Sequence, residues 1–112
     1  MNEYKNFNFA NVAYDFRGKN GTIFFNHDDQ IYIKRAGWFD IPYQFFVRGP
    51  VLFKVEDLKE VIIKEPDLMR GYIDFILNDG SKGRVWLTRP YHVEKAKKMK
   101  KMVDARKMKI SK

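Results

Sequence analysis

The chain has 112 residues, 45% of them hydrophobic and 16% aromatic, which suits one folded domain and excludes a disordered basic tail. It carries 22 Lys/Arg against 14 Asp/Glu, and its net charge of +8 favours acidic partners: nucleic acid, anionic lipid or an acidic protein surface. Without cysteine it has no disulfide or thiolate chemistry, no run approaches the ~18–20 apolar residues of a membrane span, and the N-terminus shows no basic region followed by the apolar run of a secretory leader, so a cytoplasmic chain is expected.

Residues 1–11 read as an N-terminal arm in which Tyr4, Phe7 and Phe9 are placed to extend an apolar patch or to add a strand across a dimer interface. The folded domain spans 12–108. Val12–Arg17 is the first strand-like run, and Gly18-Lys-Asn-Gly21 the turn after it, with Asn20-Gly21 suited to positive φ. Thr22–Asn26 follows, then the turn His27-Asp-Asp-Gln30, then Ile31–Arg35. The stretch Ala36–Pro50 is punctuated by Gly37, Pro42, Gly49 and Pro50 and is a poor central strand. Val51–Lys54 and Lys59–Lys64 are the fourth and fifth strands. Gly71–Leu77 alternates cleanly, Asn78-Asp-Gly80 turns the chain, and Gly83–Thr88 is the seventh.

After Thr88 the period changes to that of a helix. Pro90 suits its first turn, where the missing N–H would have no partner in any case. Ala96, Met99, Met102, Val103, Arg106 and Ile110 fall on one stripe, which predicts an amphipathic helix over residues 90–108 and a basic tail over 109–112. All the net charge sits here. From Arg89 to Lys112 there are ten Lys/Arg against Glu94 and Asp104, whereas the first 88 residues hold twelve of each sign.

Tyr14-Asp-Phe-Arg-Gly-Lys-Asn-Gly-Thr-Ile-Phe-Phe25, Ile31-Tyr-Ile-Lys-Arg35, Gly71-Tyr-Ile-Asp-Phe75 and Val85-Trp-Leu-Thr-Arg89 together resemble the short bacterial pleckstrin-homology-like domains often joined to a SHOCT helical segment. The resemblance covers about residues 12–105. It implies a mainly β fold: seven antiparallel strands in two near-orthogonal sheets, a partly open barrel, capped by one C-terminal helix. Such domains occur in Gram-positive bacteria and their phages, implying a bacterial, phage or prophage origin. Their function is largely unassigned, so no site residue is carried over. The chain departs from the pattern in lacking the SHOCT segment and in holding Trp38-Phe-Asp-Ile-Pro-Tyr-Gln-Phe-Phe46 where the family is glycine-rich.

Catalysis has little support. The two histidines, His27 and His92, lie far apart in the chain, and no nucleophile–base pair or metal-ligand spacing is present. Asp28-Asp29 reads as turn chemistry. Glu56, Asp57 and Glu60, interspersed with Lys54, Lys59 and Lys64, read as a self-neutralising surface. Gly18–Gly21 and Gly80–Gly83 lie in hairpins, not phosphate loops. The expectation is a non-catalytic interaction module with no metal, cofactor or small-molecule substrate.

Two surfaces are candidates for the interaction, the first the favoured one and the second its main rival. The first is the aromatic connection, where Trp38, Phe39, Tyr43, Phe45, Phe46 and Arg48 supply the residue types of protein-binding hot spots, for a protein partner or a homo-oligomer; the alternative is that these rings pack over the barrel edge. The second is the lysine face of the helix, Lys97, Lys98, Lys100, Lys101 and Lys107, suited to nucleic acid or an anionic membrane; the alternative is a solvated outer face.

Overall fold

The computed structural model describes residues 6–35, 51–68 and 70–110. Within them the chain runs β1 (Val12–Arg17), β2 (Gly21–Asn26), β3 (Gln30–Arg35), β4 (Leu52–Lys54), β5 (Leu58–Lys64), β6 (Gly71–Leu77), β7 (Lys82–Leu87) and α1 (Pro90–Ile110). Short 3-10 turns at Phe9–Asn11 and Val55–Asp57 lead into β1 and β5. The five aromatic residues at 38–46 and Arg48, singled out from the sequence, lie outside the described residues, as does Tyr4.

β-branched and aromatic residues at alternate positions build the core. Phe16, Ile23, Phe25, Ile31, Ile33 and Phe53 come from β1–β4, and Val61, Ile73, Phe75, Val85 and Leu87 from β5–β7; all are buried in one cluster. β1–β4 form a four-stranded antiparallel sheet in chain order, and β5–β7 a three-stranded one.

The barrel expected from the sequence is corrected here, because among the described residues the two ladders do not close into one. β4 is only three residues long, and the 55–57 turn breaks the ladder before β5 begins the other sheet. At the opposite seam the β1–β2 turn docks on β7 without strand pairing. Lys19 N–H donates to the Trp86 carbonyl (2.8 Å), and the Asn20 side-chain oxygen accepts from Trp86 N–H (2.9 Å). The turn approaches so closely that a Cβ on Gly18 would stand 2.5 Å from a Val85 methyl and 2.8 Å from the Trp86 oxygen. Positive φ at Asn20-Gly21 is likewise corrected: among the described residues only Asp29 and Gly80 adopt it.

α1 fills the space between the sheets, laying His92, Val93, Ala96, Met99 and Val103 against β1, β5 and the 55–57 turn. His92 and Val93 extend the stripe expected from the sequence toward the N-terminus. At the other end Ile110 leaves it, being 41% exposed, and Arg106 turns aside to pair with Asp29. Residues 6–11 of the N-terminal arm fold back over the outer face of the four-stranded sheet. There Phe7 is buried against Phe9, Phe24 and Tyr32 at centroid distances of 4.8, 6.1 and 5.7 Å, which occupies it within its own chain.

Candidate functional site

The outward arc of α1 follows from its docking. With Ala96, Met99 and Val103 turned inward, the i+3/i+4 rule aligns Glu94, Lys97, Lys98, Lys101, Ala105, Met108 and Lys109 on the opposite side. Lys97, Lys98 and Lys101 are all exposed there. Lys100 and Lys107 are half-buried on the flanks, so the five lysines singled out from the sequence divide into an outward three and a flanking two. Lys100 pairs with Asp104 one turn on.

The three outward lysines differ in their surroundings. Lys97 Nζ lies 3.0 Å from Glu65 in the β5–β6 connection, with both side chains more than half exposed. Such a pair contributes only about 0–1 kcal/mol, so an incoming phosphate competes for Lys97 at little cost. Lys98 Nζ stands 5.1 Å from the Tyr14 ring of β1. Lys101 has no ion pair among the described residues. The three ammonium groups are thus carried on a rigid, docked element.

A polar knot at the β2–β3 turn anchors one end of that element through Arg106. Asn26 is fully buried; its oxygen accepts from the N–H groups of Asp28 (3.0 Å) and Gln30 (2.9 Å), and its amide donates to the Asn8 carbonyl (3.1 Å) and the Gln30 side chain (2.8 Å). Asp28 accepts from the amides of Asn8 (2.8 Å) and Asn11 (3.2 Å), and these bonds hold its carboxyl below the usual carboxylate range. Asp29, at φ 64°, receives Arg106 from the helix, while its carbonyl accepts from Val55 N–H (2.8 Å). The Asp28-Asp29 pair therefore does turn and latch work.

At the other end of the helix His92 is buried, and its Nδ1 accepts from Thr88 N–H at 3.1 Å. Burial, reinforced by the positive charges of Arg89 and Lys95, pushes its pKa below the ordinary histidine value. His27 sits in the β2–β3 turn, where Arg106 reaches its carbonyl, so the fold gives the two histidines separate tasks. Among the described residues no group of three or more His, Asp or Glu is arranged to hold a metal, and no helix is long and apolar enough to cross a membrane.

A second surface, without a motif of its own in the sequence, is the outer face of the three-stranded sheet. The ladder sets Lys64, Tyr72 and Trp86 in one row across β5, β6 and β7, and Ile62, Asp74 and Arg84 in the next. Arg84 makes a bidentate pair with the buried Asp74, Nε–Oδ1 2.6 Å and Nη2–Oδ2 2.8 Å, and lies 3.8 Å from the Tyr72 ring centre and 5.1 Å from that of Trp86. Arg70, exposed, stands 5.7 Å from the Trp86 ring. Tyr72 and Trp86 meet edge-to-face at 6.1 Å. The signal was the alternation of both strands, which places Tyr72 and Trp86 outward. Pairing them needed the turn type as well: Leu77 N–H donates to the Ser81 carbonyl around a three-residue turn with Gly80 at φ 90°.

Comparison with protein-family models, with curated proteins and with solved structures gave no match.

Proposed function

We propose that this chain is a non-catalytic interaction module of pleckstrin-homology-like architecture, working in the cytoplasm, that binds nucleic acid phosphates through the outward arc of α1. The observation that carries the proposal is the arc itself. Lys97, Lys98 and Lys101 are exposed on a helix whose opposite face is buried, and among the described residues the one acid paired with any of them, Glu65, is in a solvent-exposed pair. A fixed row of lysines suits a polyanion of regular charge spacing. An anionic membrane is the poorer fit, because the exposed apolar residues of the helix, Tyr91, Met108 and Ile110, lie at its two ends and form no stripe to insert. The element order, strands then one capping helix, supports the architecture.

Changing Lys97, Lys98 and Lys101 together to Glu is expected to abolish a salt-sensitive mobility shift with nucleic acid at low salt while leaving the circular dichroism spectrum unchanged. A wild-type chain that shifts no nucleic acid at low salt would refute the proposal.

Self-association through residues 38–48 is a companion reading, supported by the sequence density of Trp38, Phe39, Tyr43, Phe45 and Phe46 beside Arg48. Its test is light scattering of the Trp38→Ala/Phe46→Ala variant, expected to be smaller than the wild-type particle. Equal masses for the two would dismiss it.

A further inference from the structure

We infer that the outer face of the three-stranded sheet is a stacking platform for the bases of a single-stranded nucleic acid whose phosphates are held by the outward arc of α1; the inference rests on the helix reading above and names its substrate class. The row Lys64–Tyr72–Trp86 crosses all three strands, a span of about 10 Å at the ordinary strand spacing, room for two or three nucleotides. Its Lys64 end is also where the helix arrives, since Lys97 reaches Glu65, the residue after Lys64. Its Trp86 end leads within four residues into the helix start at Pro90. The basic arc and the aromatic row therefore come together at the Lys64 end, through the Lys97–Glu65 pair.

The chemistry of the row fits an unpaired base better than a protein side chain. Trp86 and Tyr72 are half-buried, so each offers ring surface without being free to turn away. Arg84, fixed by both oxygens of Asp74, clamps Tyr72 from one side, and a planar guanidinium is a group on which bases stack. Arg70 is exposed beside the Trp86 ring and near enough to neutralise the phosphate of a base stacked there. Lys82 extends the positive charge one strand end further, opposite Ile76. Aromatic rings interleaved with arginine on an open sheet face give sequence-tolerant stacking, whereas a duplex keeps its bases inside.

The test uses the full chain with Trp38→Phe, which leaves Trp86 as the only indole. Titration with a short oligothymidylate at low salt is expected to quench Trp86 fluorescence, with the matching duplex bound at least about tenfold more weakly. Trp86→Leu and Arg70→Ala are each expected to weaken single-strand binding, the former by about tenfold or more, and Trp86→Phe to restore most of it. Equal affinity for single strand and duplex, no quench at saturation, or equally tight binding of polyglutamate would overturn the platform, even with binding still dependent on Lys97, Lys98 and Lys101. Absence of binding to either nucleic acid would overturn the helix reading and this one together. The quench is read on an unaltered Trp86, so the test stands even if the position-86 variants fail to fold.

Discussion

His92 is the residue whose chemistry most directly couples the helix to solution conditions. Its Nδ1 accepts the Thr88 N–H, so the folded chain needs the neutral ring at that nitrogen. Burial first, then the charges of Arg89 and Lys95, make it harder to protonate when folded than when unfolded. The unfolded chain therefore takes up more protons as pH falls below about 6.5, and stability falls with it; above that value the contribution is fully present. The expected outcome is a melting temperature that declines between pH 7 and pH 5.5 in the wild type and declines less in His92→Gln, whose amide oxygen can still accept the Thr88 N–H. Parallel declines would contradict this. None of it was legible beforehand: the sequence reading needed only that His92 had no catalytic partner. What decides its role is where one helical turn places the ring relative to Thr88.

At the scale of elements, β2, β3, β6 and β7 were legible because alternation survives in them. Ile23/Phe25, Ile31/Ile33, Ile73/Phe75 and Val85/Leu87 mark the inner face without any tertiary knowledge. The seams were not. Whether β1 and β7 share a ladder depends on Asn20, whose side chain caps Trp86 N–H, and on Gly18, whose missing Cβ admits the turn; neither feature has a periodic signature. The helix shows the same division. Ala96, Met99 and Val103 announce the buried stripe, while Arg106 departs from it because Asp29, 77 residues away in sequence, lies within its reach. Met99, fully buried between the sheets, should be the residue that matters most to docking. Met99→Ala is expected to lower stability by about 2–5 kcal/mol in denaturant titration, against less than about 0.5 kcal/mol for Lys101→Ala on the exposed arc. Comparable losses at the two positions would mean that α1 is not seated as described.

For the whole molecule, the balance of charge is the organising fact. A body with twelve basic and twelve acidic residues carries a terminal segment of ten against two. The fold turns that segment into a surface: its apolar stripe closes the core, and Lys97, Lys98 and Lys101 are held outward as a consequence of the packing that stabilises the domain. The site was therefore partly readable, since the lysines and the stripe are both sequence features. Their division into outward and flanking groups was not, because it depends on which way the helix rolls against β1 and β5. The sheet face bearing Tyr72 and Trp86 needed the β6–β7 register, set by a turn of three residues, before it existed as a surface at all.

Phosphate binding by the outward arc is reported by the salt dependence of affinity. Fluorescence anisotropy with a labelled single-stranded oligonucleotide gives the slope of log K against log salt for the wild type and for the variant with Lys97, Lys98 and Lys101 changed to Ala. If each of the three lysines displaces a counterion on binding, the variant's slope is shallower by about 2. Identical slopes, or no binding by the wild type at low salt, would contradict the account.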